Sequence, residues 1–204
     1  FQLIEWVVDG NHNNPILIKE KIKDIKACLS KGMKIHAVCC DFLMNDCLFN
    51  SYSSKSSKIL INIINNIKEL KIKYVELPML GESKIDKDNY NNVCRYLKNI
   101  NDNILINNDV ILAIESHLAP KDLKNLIEDI GSEKVKINYD VGNSAYWGHD
   151  LESEFIEYGN LIETVHIKDC TPMDYSVRLG SGNVDFDLFF QLLKQINYKG
   201  DYIC

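Results

Sequence analysis

Short apolar runs rich in β-branched residues alternate along this chain with longer segments whose apolar residues recur at i, i+3, i+4 and i+7. The first pattern reads as buried strand and the second as amphipathic helix. Seven strands are predicted, at 2–8, 34–39, 73–77, 110–115, 135–140, 164–168 and 201–204, with six helical segments between them at 16–32, 55–72, 87–104, 119–133, 150–161 and 185–200. Gly32, Gly131 and Gly200 follow the last periodic residues of their helices, where a left-handed C′ residue favours glycine. Pro120 and Asp185 mark helix starts. Regular alternation of strand and helix is the signature of βα units around a parallel sheet. No linker or shift in composition divides the chain, so residues 1–204 read as one α/β domain.

An open doubly wound sheet and a closed (β/α)8 barrel both begin from this pattern. No GxGxxG follows an early strand, which removes the usual dinucleotide fingerprint. Strand after strand instead ends in an ionisable residue: Glu5, Glu76, Glu115, Asp140, and His166 with Lys168. In a barrel those ends converge on one mouth, where such folds place their chemistry. Glu115, Asp140 and His166 are 25 and 26 residues apart, about one short βα unit each. Two carboxylates and an imidazole meeting at one point make a site for a divalent ion such as Mn²⁺, Mg²⁺, Co²⁺ or Zn²⁺. Each residue also has a blander reading, as a helix N-cap, a solvated loop residue or a satisfied core histidine. Glu5 and Glu76 either line the site or bond neighbouring strands. His36 and His117 read as packing residues or as supports of a ligand, and His12 and His149 as loop residues.

Composition narrows the partners. The chain has 204 residues, 46% hydrophobic and 25% charged, an ordinary globular balance for which a single core suffices. A formal charge of −6 argues against partners held by clustered Lys and Arg, so neither nucleic acid nor an anionic membrane surface is expected. No apolar run approaches the ~20 residues that span a bilayer. Seven cysteines without a CxxC pair read as reduced thiols, and the expected compartment is cytoplasmic.

At FQLIEW, KYVELPML, DVGN, VHIKD and VRLGSGNVDFDLFFQLLKQINYKGDY, in that order, the sequence resembles the xylose isomerase-like barrel superfamily, and within it the sugar phosphate isomerase/epimerase group, the AP endonuclease family 2 type. The resemblance runs over essentially the whole chain. It implies a (β/α)8 TIM barrel with a divalent metal bound by Glu, Asp, His and a second Glu from strands five to eight. Glu115, Asp140 and His166 match the first three, and the fourth would follow Cys204. It also implies that the chain holds strands two to eight, with a first βα unit before Phe1 and a last helix after Cys204. A full barrel takes ~250 residues, which fits that shortfall.

The resemblance implies a small ketose or sugar-phosphate substrate, isomerised or epimerised by proton abstraction next to a carbonyl through an enediolate, with a homo-oligomer possible. Glu115, or the strand-eight Glu that would follow Cys204, removes the proton as catalytic base and the other returns it, and Lys168 polarises an oxygen or anchors a phosphate; the alternative for Lys168 is an ion pair with Asp169 or Glu115. Glu5, Glu76, His117, Asn143 and Arg178 are the remaining candidates for substrate contact. Arg178 and the turn Gly180-Ser181-Gly182 lie where many barrels bind phosphate through backbone N–H groups. Trp6 and Trp147 are candidates to stack on a sugar or to pack as a lid. Three other readings stay open: an inosose-type dehydratase, a trinuclear zinc nuclease and a non-catalytic barrel. Asn143 and the 77–78 region lack the histidines of the nuclease set, although His36 resembles one of them, and Asn143 also replaces a histidine common in free-ketose 3-epimerases.

Overall fold

Strands that alternate with helices can pair in parallel with their predecessors, and all seven do so. In the computed structural model, which describes residues 3–49 and 54–204, they form one sheet in chain order. The strands are β1 (Leu3–Val7), β2 (Lys34–Cys39), β3 (Tyr74–Met79), β4 (Ile111–Ser116), β5 (Val135–Asp140), β6 (Ile162–His166) and β7 (Tyr202–Ile203). Gln2, the predicted start of the first strand, lies outside the described residues, as does Phe1. The sheet is rolled, because Glu5 on β1 meets His166 on β6 at 3.0 Å. Five strand spacings in a flat sheet would separate them by about 24 Å. Lys73 and Tyr74 at the start of β3 likewise reach Glu163 on β6 at 3.1 and 3.0 Å. The seven strands form the nearly closed wall of a TIM barrel.

Helices α1 (Ile22–Leu29), α2 (Lys55–Ile67), α3 (Tyr90–Ile100), α4 (Pro120–Ile130), α5 (Val141–Trp147), α6 (Leu151–Tyr158) and α7 (Phe186–Gln195) connect the strands. Their apolar stripes face the sheet: Ile59, Leu60, Ile63, Ile64 and Ile67 on α2, and Leu123, Leu126, Ile127 and Ile130 on α4, all join one buried cluster with outward strand residues such as Val75, Leu77, Leu112 and Ile114. The alternation along each strand leaves the other face pointing inward. None of these helices is long and apolar enough to cross a membrane.

Three departures from the predicted elements have local causes. The first helix begins at Ile22 rather than Ile16, after two 3₁₀ turns at Pro15–Leu17 and Lys19–Lys21. The carbonyls of Ile16 and Leu17 accept from Asn66 and Asn62 of α2 at 2.9 and 2.8 Å, and extended Ile18 interrupts the helical backbone. The extra helix α5 starts directly from β5, with the Asp140 carboxylate accepting from the Asn143 N–H at 2.9 Å. After α7 the left-handed residue is Asn197 (φ 57°), not Gly200. Gly131 (φ 66°) and Gly32 (φ 100°) take the predicted left-handed positions, and Pro120 and Asp185 open α4 and α7 as expected.

The loop between β6 and α7 is organised by one fully buried carboxylate. Asp169 accepts from the backbone N–H groups of Cys170 (3.0 Å), Gly180 (2.9 Å), Gly182 (2.7 Å) and Val184 (3.2 Å). A Cβ on Gly182 would overlap that carboxylate, so glycine is required there for close approach. Removing Asp169 strands four amide donors. Asp169→Ala is therefore expected to destabilise the fold by on the order of 3 kcal/mol and to open 177–184 to proteolysis. Urea denaturation and limited proteolysis check both; a loss below about 1 kcal/mol with an unchanged cleavage pattern would contradict the assignment.

Candidate metal centre

The inward-facing side chains at the C-terminal ends of β4, β5 and β6 bring Glu115, Asp140 and His166 together. One ligand atom from each lies within 4.8 Å of the others. Glu115 and Asp140 are buried and His166 is nearly so. Every member is held by a neighbour. Glu115 accepts from Asn138 Nδ2 at 3.1 Å and from Asn143 Nδ2, and Asn138 is itself fixed by the Thr164 hydroxyl at 2.8 Å. Asp140 caps α5 with Oδ1, so the bland N-cap reading and the ligand reading apply to the same residue. His166 Nε2 lies 3.0 Å from Glu5 Oε2 and 3.1 Å from Glu76 Oε2, while Nδ1 faces Glu115 at 3.9 Å.

This donor set fits a divalent ion. Two carboxylates and an imidazole converge, and the imidazole's other nitrogen is anchored by carboxylates, the usual arrangement behind a metal-bound histidine. The electrostatics point the same way. Burial, and then the charge of Asp140, raise Glu115 to about 7. Burial raises Glu76 to about 8, against the pull of His166. Burial lowers His166, but its bonds to Glu5 and Glu76 outweigh that and lift it to about 11. Glu5 is raised by burial too, yet its bonds to His166 and Glu76 leave it below its ordinary value.

The other predicted residues divide. Glu5 and Glu76 reach the cluster, through His166. Asn143 is buried and committed at both ends of its amide, to Glu115 and to Lys168 Nζ at 2.5 Å. Lys168 lies 3.6 Å from Asp140 and 3.7 Å over the Tyr175 ring, so its carboxylate partner is Asp140 rather than Asp169 or Glu115. A Cβ on Gly142 would stand 2.8 Å from the Lys168 carbonyl, which is why α5 packs closely enough for Asn143 to reach it. His117 stands apart, edge-on to Trp147 at 6.2 Å and lining a cavity of about 510 Å³ with Lys84, Tyr90 and Leu118. Trp6 faces the helical layer and donates to Asn14 at 2.9 Å, so it is not at the mouth. Arg178 is exposed, and the glycine turn beside it offers no free phosphate cradle because Asp169 takes the N–H groups of Gly180 and Gly182. Asn138 and Tyr175, which touch the site, escaped the sequence reading. Asn138 could have been found from its inward register two residues before Asp140, whereas Tyr175 sits in an irregular loop.

A family model described as xylose isomerase-like TIM barrel matches residues 1–204. Among curated proteins, L-ribulose-5-phosphate 3-epimerase UlaE of Salmonella paratyphi A is 38% identical over 65 residues, 31% of this chain and 23% of that protein. The chain spans about a quarter of the length of the curated relatives it matches, 28% and 23% for two of them. Solved structures share the fold. A xylose isomerase domain protein from Planctomyces limnophilus gives a TM-score of 0.78 at 16% identity, over 98% of this chain and 80% of that one. An IolI protein with a bound zinc atom gives 0.77 at 20% identity, over 100% and 78%. An L-ribulose 3-epimerase gives 0.70 at 20% identity, over 100% and 70%.

The shifted groups set a pH dependence. The folded chain keeps protons that the unfolded chain has released, between 4.5 and about 7 at Glu115, 4.5 and about 8 at Glu76, and 6.5 and about 11 at His166. Stability falls with rising pH wherever the folded state binds more protons. Chelator-treated protein is thus expected to lose stability from about pH 5 to about pH 11, and a divalent ion replacing the protons should stabilise more at the alkaline end. Thermal denaturation with and without Mn²⁺ or Zn²⁺ checks this; stability that rises across that window would contradict it.

Proposed function

The chain belongs to the xylose isomerase-like TIM barrel family, and from that membership we propose that it is a sugar or sugar-phosphate epimerase or isomerase that works by proton abstraction next to a carbonyl. The observation that carries this reading is the convergence of Glu115, Asp140 and His166 at the ends of β4, β5 and β6, where one ligand atom from each lies within 4.8 Å of the others. Epimerase relatives and fold neighbours support the class of substrate.

Glu115, Asp140 and His166 would hold a divalent ion. When bound, that ion supplies Lewis-acid polarisation of a substrate carbonyl, worth several kcal/mol as charge develops on oxygen. The chain's own side chains do the rest. Glu115 takes the proton from the carbon next to the carbonyl at a carboxylate oxygen, while Asn138 and Asn143 fix the orientation of that carboxylate. Lys168, steered by Asn143 and Asp140 and backed by the Tyr175 ring, places a positive charge where a substrate oxygen gains charge. Glu5 and Glu76 keep the imidazole of His166 from rotating.

Solvent exchange reads on the first proton transfer and needs only one base. With Mn²⁺ or Co²⁺ present and a panel of ketoses and ketose phosphates in D₂O, deuterium is expected to enter the carbon next to the carbonyl. Glu115→Gln should slow this by about 10²- to 10⁴-fold. No exchange across the panel, or exchange unchanged in Glu115→Gln, would overturn the proposal.

A further inference from the structure

A second set of ligands lies on the other side of His166, contributed by the early strands. Glu5 sits at the middle of β1, Cys39 ends β2 and Glu76 sits in β3, and one ligand atom from each lies within 4.8 Å of the other two. Glu76 is 0% exposed; its Oε2 is taken by His166, but its Oε1 is buried with no hydrogen-bond partner among the described residues. An orphaned carboxylate oxygen in the interior is costly and calls for a ligand. Cys39 is buried, and its thiol is turned toward a further carboxylate, donating to Asp41 at 3.2 Å. Glu5, Glu76 and Asp41 thus surround one thiol, and His166 is the cation that both Glu5 and Glu76 contact.

We propose that Glu5, Cys39 and Glu76 form a second divalent-cation site, separate from the Glu115–Asp140–His166 trio and selective for a thiophilic ion such as Zn²⁺. Bonds of about 2.1 Å to carboxylate oxygen and 2.3 Å to thiolate sulfur place tetrahedral ligands about 3.6 Å apart, so a modest contraction of the triad closes it. The thiolate selects for Zn²⁺ or Co²⁺ over Mg²⁺ or Ca²⁺, which prefer all-oxygen shells. The thiol and the Glu76 carboxyl give up their protons on binding, and the ion takes the place of those protons beside Glu5. Glu5 Oε2 and Glu76 Oε2 can keep their bonds to His166 while the orphaned Oε1 turns to the ion. Both sites would then brace the same imidazole from opposite sides. This inference does not rest on the epimerase reading.

The test is a Co²⁺ titration of chelator-stripped full chain, following the thiolate-to-cobalt charge-transfer absorption together with total bound cobalt. Wild type is expected to develop the band and saturate at one thiolate-bound ion per chain. Cys39→Ser should abolish it and Glu76→Gln should weaken the ion at least tenfold, whereas Glu115→Gln should retain it. No band in wild type, or a band that survives Cys39→Ser, overturns the proposal. The wild-type arm needs no variant, and Glu76→Gln keeps the thiol, so a Cys39→Ser chain that fails to fold leaves the Glu76→Gln result to decide. Loss of ketose exchange in Glu115→Gln with the cobalt–thiolate band intact separates this site from the first.

Discussion

The structure turns on one imidazole enclosed by carboxylates. Bringing ionised groups out of water costs several kcal/mol each unless they are paired and hydrogen-bonded. His166 meets that condition for Glu5 and Glu76 at once, and faces Glu115 with its remaining nitrogen. The three acids come from β1, β3 and β4, so the interaction ties the beginning, middle and end of the sheet together. It also requires the sheet to curve. Strands that are not neighbours can reach each other only across the interior of a barrel.

Around that centre the supporting polar groups are nearly all committed. Asn138 and Asn143 hold Glu115, Thr164 holds Asn138, and Asn143 also takes Lys168. Such a fully connected network fixes the rotamers of the groups that do chemistry. Glu76 Oε1, without a hydrogen-bond partner among the described residues, stands out against this background. The family model and the fold place the chain among xylose isomerase-like TIM barrels.

Much of this was legible in the sequence. Short apolar, β-branched runs located all seven strands to within two residues at their described ends, because the outward face of each strand is buried under the helices. The spacing of Glu115, Asp140 and His166 located the trio, because one βα unit separates each strand end from the next. Features set by tertiary contact were not legible. Helix α5 is too short to show a period and depends on the Asp140 cap. The start of α1 was moved by Asn62 and Asn66, which lie far along the chain. The glycine turn at 180–182 looked like an anion cradle, and only the fold shows that Asp169 fills it. Period-two alternation could have placed Trp6 on the outer face, since Glu5 beside it points inward.

If the strand ends of β4, β5 and β6 form one cation site anchored through His166, crystals grown with Zn²⁺ or Mn²⁺ will show an anomalous X-ray peak within bonding distance of Glu115, Asp140 and His166 Nδ1, with Nε2 still held by Glu5 and Glu76. A saturated crystal with no peak at those three side chains, or an ion bound through His166 with Glu115 and Asp140 turned away, would contradict it.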